Sequence, residues 1–170
     1  MFTKGREGLD DVLKEYKSGH KIVVAHPRHI PYLAQNIRKE DLLEVACMSG
    51  NPEKAFEQAL ENDIATLTVL DPQDIPYAMF GVGKCNEETY IWMLGTNDVT
   101  KYKFEFLKRC RDWVWAFVDE YEKVFNFVHV DNTLAIKWLA WCKATFSDEF
   151  EINGQKFMKF TIIKEDILDV

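Results

Sequence analysis

Phe127-Val-His-Val-Asp-Asn-Thr-Leu-Ala-Ile-Lys-Trp-Leu-Ala-Trp-Cys-Lys-Ala-Thr-Phe146 reads as a buried strand that turns at an asparagine into an amphipathic helix. Phe127–Val130 is rich in strand formers, and Asn132 is a residue type that caps helix N-termini, so a helix is expected over Thr133–Lys143. Just upstream, Leu107, Cys110, Val114, Phe117, Val118, Tyr121 and Phe125 are spaced as one buried stripe, which predicts a long helix over Lys101–Phe125. A long helix between two strands is the connection that parallel neighbours require, so Thr89–Gly95 and Phe127–Val130 are expected side by side and parallel.

Before that helix, Ala65–Leu70, Ala78–Lys84 and Thr89–Gly95 form three β segments joined by polar turns, an antiparallel meander by pattern. Gly81-Val-Gly83 inside the second is better read as a bulge or a close backbone approach than as a nucleotide loop. Lys21–Ala25 is a first strand that stops at His26-Pro27, followed by helices over His29–Arg38 and Lys39–Met48, the latter ended by Gly50. Asn51-Pro52-Glu53 opens a third helix to about Asn62. Phe150–Ile152 and Phe157–Ile163 close the chain as a hairpin on Asn153-Gly154. Residues 1–20 look like an appendage, a short helix with Leu9, Val12, Leu13 and Tyr16 at helical spacing. The expected fold class is α/β (α+β): one domain over residues 1–170, its core at 21–165, with a mixed central sheet of about six to seven strands flanked by helices on both faces.

Composition sets the outer limits. With 47% apolar and 14% aromatic residues, twelve Phe among them, the chain is too hydrophobic for disorder at a net charge of −7. That acidic balance argues against a nucleic-acid partner, which calls for clustered cations. The longest unbroken apolar run, Trp113–Val118, is far short of the roughly 20 residues of a membrane span, and no secretory h-region opens the sequence. Cys47, Cys85, Cys110 and Cys142 are widely spaced and read as reduced thiols of a cytoplasmic protein rather than metal ligands; no metal site is expected.

The strand-turn-helix at Phe127–Phe146, together with Tyr77-Ala-Met-Phe-Gly-Val-Gly83 and Tyr90-Ile-Trp-Met-Leu-Gly-Thr96, resembles the acyl-CoA-binding half of a GNAT-type N-acetyltransferase. The spacing of Trp138, Leu139, Ala144 and Phe146, and the run Asn36-x-Arg-x-x-Asp-x-x-Glu44, are similar to a small GNAT-like branch found in T7-like podoviruses. The element order matches that family over about residues 21–165. The resemblance implies that the strands at Thr89–Gly95 and Phe127–Val130 splay to admit the pantetheine arm of acetyl-CoA.

It also implies site residues. The family's pyrophosphate loop, a Gln/Arg-x-x-Gly-x-Gly/Ala run, falls at Gly95-Thr-Asn-Asp-Val-Thr100, where only the first residue is glycine and Asp98 adds a like charge. Met93, Leu94, Gly95, Thr96, Asn97, Thr100 and Lys101, with Asn132 and Ala135 on the following helix, are the implied acetyl-CoA contacts. The backbone N–H of Leu94 is the implied oxyanion donor. Thr96, Asn97 and Thr100 would offer hydroxyl, amide and N–H donors, with Lys101 and Lys103 nearby; a helix cap is the competing reading for the loop and for Asn132. Candidate bases for deprotonating an ammonium are Glu44 and His129, then Glu87, Glu88 and His26, with a hydrogen-bonded core role the competing reading of His129. Leu139 stands where the family's tyrosine acid is usual, and Lys143 where glycine is usual.

The implied function is a phage-encoded N-acyltransferase that moves an acetyl group from acetyl-CoA to an amine of a host protein or small molecule in the host cytoplasm. The alternative is a catalytically reduced scaffold, either a host-takeover protein that binds host enzymes or an internal virion protein.

Overall fold

The computed structural model describes residues 10–169, organised as two compact units. The first comprises the described residues up to Gly83 together with Trp92–Lys101; the second comprises Lys84–Ile91 and the chain from Tyr102 onward. Among the described residues nine strands, β1 (Val12–Glu15), β2 (Lys21–Val24), β3 (Ala65–Leu70), β4 (Pro76–Cys85), β5 (Glu88–Gly95), β6 (Lys123–His129), β7 (Thr145–Phe146), β8 (Phe150–Ile152) and β9 (Gln155–Ile163), follow the order β1-β2-β3-β4-β5-β6-β9-β7, with β8 paired to β9, against the six or seven expected. The chain passes between units inside two of these strands, β4 (Pro76–Cys85) and β5 (Glu88–Gly95).

In the first unit β2 (Lys21–Val24) pairs antiparallel with β3 (Ala65–Leu70), and β3 with β4, as the meander pattern requires. The helices are α1 (Ile30–Gln35), entered through a 3₁₀ turn at Pro27–His29, α2 (Lys39–Met48) and α3 (Pro52–Asn62). Asn51 caps α3 by accepting from the Lys54 N–H at 3.1 Å, and Gly50 turns the chain after α2 at φ +80°. Ile30, Leu33, Phe56 and Met79 form the core, with Trp92 and Leu94 of β5 packed against it.

Among the described residues of the expected N-terminal appendage, no helix is formed. Val12–Glu15 is a strand, β1, antiparallel to β2, and Leu9 lies outside the described residues. The helical spacing there had no surface to bury against: Val12 and Leu13 stay 49% and 38% exposed. The open edge of β2 supplied ladder bonds instead, reached through a turn in which the Gly19 N–H donates to the Tyr16 carbonyl at 2.8 Å.

In the second unit α5 (Lys103–Tyr121) leads to β6 (Lys123–His129), then α6 (Thr133–Trp141), β7 (Thr145–Phe146), β8 (Phe150–Ile152), β9 (Gln155–Ile163) and α7 (Lys164–Leu168). The long helix thus stops four residues early, at Glu122 with φ +66°, and Lys101 belongs to a separate short α4 (Asp98–Lys101). Tyr121 and Phe125 continued the stripe by spacing alone, whereas β9 offers β6 an antiparallel ladder running from Lys123 to His129. The β8–β9 hairpin turns on Asn153 and Gly154, both at positive φ, as the dipeptide foretold. β5 and β6 are parallel, as expected, through the register pair Tyr90↔Phe125.

α6 ends in a Schellman arrangement, with Lys143 N–H donating to the Ala140 carbonyl and Ala144 N–H to the Leu139 carbonyl, both at 3.0 Å. Lys143 therefore sits at φ +73°, a conformation a side chain disfavours. Lys143→Gly is expected to stabilise the protein by about 1 kcal/mol, read as a rise in Tm without loss of helical circular dichroism.

Candidate functional site

The end of β5 is the best-defined polar feature of the first unit. Its last residue, Gly95, donates its N–H to Asp41 Oδ2 at 2.9 Å and accepts from the Arg38 N–H at 2.8 Å, while Ile37 and Thr96 form an antiparallel bridge. The connection between α1 and α2 is therefore stitched to β5. A side chain at Gly95 would meet Val99 Cγ1 at 2.6 Å, so glycine is needed here for close approach rather than for its dihedral freedom.

Asp41 and Arg38 are both buried, at 6% and 7% exposure. Burial raises the Asp41 carboxyl to about 6, against the pull of the Arg38 guanidinium and the Gly95 N–H, with Glu44 and Glu40 adding to the rise. The pair lies at 3.9 Å, and Arg38 also reaches Glu40 at 3.7 Å. The run Asn36-x-Arg-x-x-Asp-x-x-Glu44 marks both Arg38 and Asp41 by its spacing, but not their contact with Gly95. Glu44 is half-buried on the same helix.

Beyond Gly95 the loop is wound on itself. The Thr96 N–H donates to the Tyr77 carbonyl at 2.9 Å, Asp98 N–H to Thr96 Oγ1 at 3.2 Å, Val99 N–H to the Thr96 carbonyl at 3.2 Å, and Thr100 N–H to the Asn97 carbonyl at 3.1 Å. The buried Thr96 hydroxyl, expected as a phosphate donor, thus accepts from the first turn of α4, and the Thr100 N–H, expected likewise, is satisfied within the protein. The exposed side chains are those of Asn97, Thr100 and Lys101. Met93 and Leu94 are half-buried on β5.

Two further first-unit histidines are structural. His26 caps the 3₁₀ turn by accepting from the Arg28 N–H at 3.1 Å. His29 lies between Asp10 and Thr68, each 3.0 Å from one ring nitrogen. The Asp-His-Thr order resembles a nucleophile relay, but Thr68 is fully buried and no substrate reaches its hydroxyl. Burial lowers the His29 pKa, opposed by Asp10.

His129, Asn132 and Ala135 belong to the second unit. Nδ1 of His129 accepts from the Asp131 N–H at 3.1 Å, which leaves Nε2 to face Gln155 Oε1 at 2.9 Å, and the ring is 4% exposed. Both nitrogens are engaged, the geometry that the hydrogen-bonded core reading of His129 expects. Asn132, also buried, caps α6 by accepting from the Ala135 N–H at 3.4 Å. Glu87 is exposed, and Glu88 pairs with Lys159 at 3.3 Å and Lys123 at 3.9 Å.

One second-unit residue was missed. Asn126 donates Nδ2 to the Ile91 carbonyl at 2.6 Å and accepts the Phe127 N–H on Oδ1 at 2.8 Å. Its carboxamide interposes where β5 and β6 would otherwise bond directly, immediately after Tyr90↔Phe125.

Solved structures share this architecture. Spermidine N-acetyltransferase from Vibrio cholerae, in complex with CoA and spermine, matches with a TM-score of 0.65 at 13% identity, over 89% of this chain and 99% of that one. A GNAT-family acetyltransferase from Bacillus anthracis matches with 0.65 at 9% identity, over 91% and 99%. Ribosomal-protein-S5-alanine acetyltransferase from Vibrio fischeri matches with 0.63 at 12% identity, over 92% and 98%. The fold is therefore that of the GNAT acetyltransferases. Residues 71–151 match the family described as Bacteriophage T7, probable scaffold protein Gp13. No curated protein matches.

Proposed function

We propose that the chain is a phage protein that binds acyl-CoA on a GNAT scaffold and transfers the acyl group to an amine in the host cytoplasm. The observation that supports this best is the end of β5, where Asp41 and Arg38 hold both backbone groups of Gly95 and so fix the strand that carries Met93 and Leu94. In this reading the Leu94 N–H polarises the thioester carbonyl. Glu44, half-buried one turn beyond Asp41, takes the proton from the acceptor ammonium, and thiolate departure relies on solvent because Leu139 offers no acid. CoA and spermine in the Vibrio cholerae enzyme are consistent with this chemistry.

A second reading is a binding scaffold, favoured by the internally bonded loop Thr96–Thr100 and by the probable-scaffold description of the matching family. Calorimetric titration with acetyl-CoA and CoA separates the two: micromolar binding supports transfer, and none at millimolar ligand supports the scaffold. Asp98→Asn, which removes a charge from the first turn of α4, is expected to strengthen CoA binding or leave it unchanged, the gain shrinking at high salt. Loss of binding in that variant would overturn the placement of the diphosphate.

A further inference from the structure

α5 and α6 are tied together by indoles. Trp115 Nε1 donates to the Cys142 carbonyl at 3.1 Å and Trp138 Nε1 to the Leu107 carbonyl at 3.2 Å. Between Trp115 and Trp141 lies Arg111, its guanidinium carbon 4.6 Å from one ring centroid and 3.8 Å from the other. Two indoles thus hold the guanidinium by cation–π contact.

Its edge is not provided for. Arg111 Nε is buried without a hydrogen-bond partner, and no carboxylate among the described residues pairs with the guanidinium. A buried charged donor left unmet costs more than an ordinary one, and such a group calls for an acceptor. The nearby acids are otherwise disposed: Glu105 pairs with Arg109 at 3.5 Å, and Asp112 lies exposed on the adjacent face of α5. By helical spacing Lys108 shares the Arg111 face of α5, and Lys137 shares the Trp141 face of α6. Trp141 is 45% exposed and keeps a free aromatic surface.

We propose that Arg111, clamped by Trp115 and Trp141, is a binding site for a phosphate-type oxyanion, with Lys108 and Lys137 as secondary charges. A rigid fork matches the two-oxygen edge of phosphate, and three cations suit a dianion better than a single carboxylate. The oxyanion arrives either as free phosphate or as the phosphate of a nucleotide whose base covers Trp141. The site stands apart from the acyl-CoA reading, and its test uses no CoA.

The test is tryptophan fluorescence of the full-length protein titrated with inorganic phosphate, pyrophosphate, AMP and adenosine. Saturable quenching by pyrophosphate or AMP, with adenosine inactive, is expected. AMP binding at least tenfold tighter than phosphate assigns the nucleotide source, and equal binding assigns the free anion. Arg111→Gln should weaken binding at least tenfold. Arg111→Lys, which keeps the charge and loses the planar fork, should fail to restore it, and it serves if the glutamine variant does not fold. No saturable response in the wild type, or wild-type affinity in Arg111→Lys, overturns the proposal.

Discussion

Asp41→Asn is expected to abolish a stability loss that the wild type suffers between about pH 4 and pH 6. The Asp41 carboxyl is raised from 3.8 to about 6 in the folded protein. In that window the folded state holds a proton the unfolded state has released, so stability falls as pH rises and the full cost is present above pH 6. A rise of that size corresponds to roughly 3 kcal/mol. Asparagine still offers an oxygen to the Gly95 N–H, and Arg38 keeps Glu40, so the variant isolates the charge. Urea midpoints of both proteins across pH 4 to 8 check this: the variant should gain on the wild type as pH rises. Parallel curves would mean that the carboxylate is not held against its solvation.

Gly81→Ala is expected to destabilise by roughly 2–3 kcal/mol, an overpacking cost. A methyl at Gly81 would lie 2.8 Å from the Ala65 carbonyl oxygen, 2.8 Å from Trp92 Nε1 and 2.9 Å from Asp63 Oδ2. The first is backbone in the β3–β4 ladder, and the other two hydrogen-bond each other, so none yields cheaply. Thermal unfolding followed by near-ultraviolet dichroism reads both the lost stability and the disturbed Trp92. A Tm within a degree of wild type would show that the sheet relaxes around the methyl.

Local signals were legible where a few neighbouring residues decide the outcome. Asn51-Pro52 and Asn153-Gly154 placed a helix start and a hairpin because cap and turn chemistry act within four residues. Gly81 was legible as a close approach, although the atoms it approaches were not. Elements settled at long range were hidden: β1 exists because β2 has an edge to fill, and Phe125 is a strand residue because β9 pairs with it. The candidate site divides the same way. Met93–Lys101 entered only as what the resemblance implies, whereas Asp41 meets Gly95 across 54 positions and Asn126 meets Ile91 across 35, distances no spacing rule covers. His129 could be placed on a strand from the sequence, with a core role the favoured reading over that of a base, but its partners Gln155 and Asp131 could not be named.

The two compact units are interleaved along the chain, and this bears on synthesis by the ribosome. The first unit lacks β5 residues Trp92–Gly95 until translation has passed them, so the Gly95 amide that holds Asp41 emerges long after α2 has. Lys84–Ile91 emerges before its partners: Phe125, Asn126, Lys123 and Lys159 all follow later. The tip of the β4–β5 hairpin therefore waits, unpaired on one side, for more than thirty residues of further chain. A nascent chain arrested near residue 140, with its last few tens of residues still inside the ribosomal tunnel, should protect the first unit from protease while leaving Lys84–Ile91 open to it, an order of assembly fixed by where the polypeptide crosses from one unit to the other.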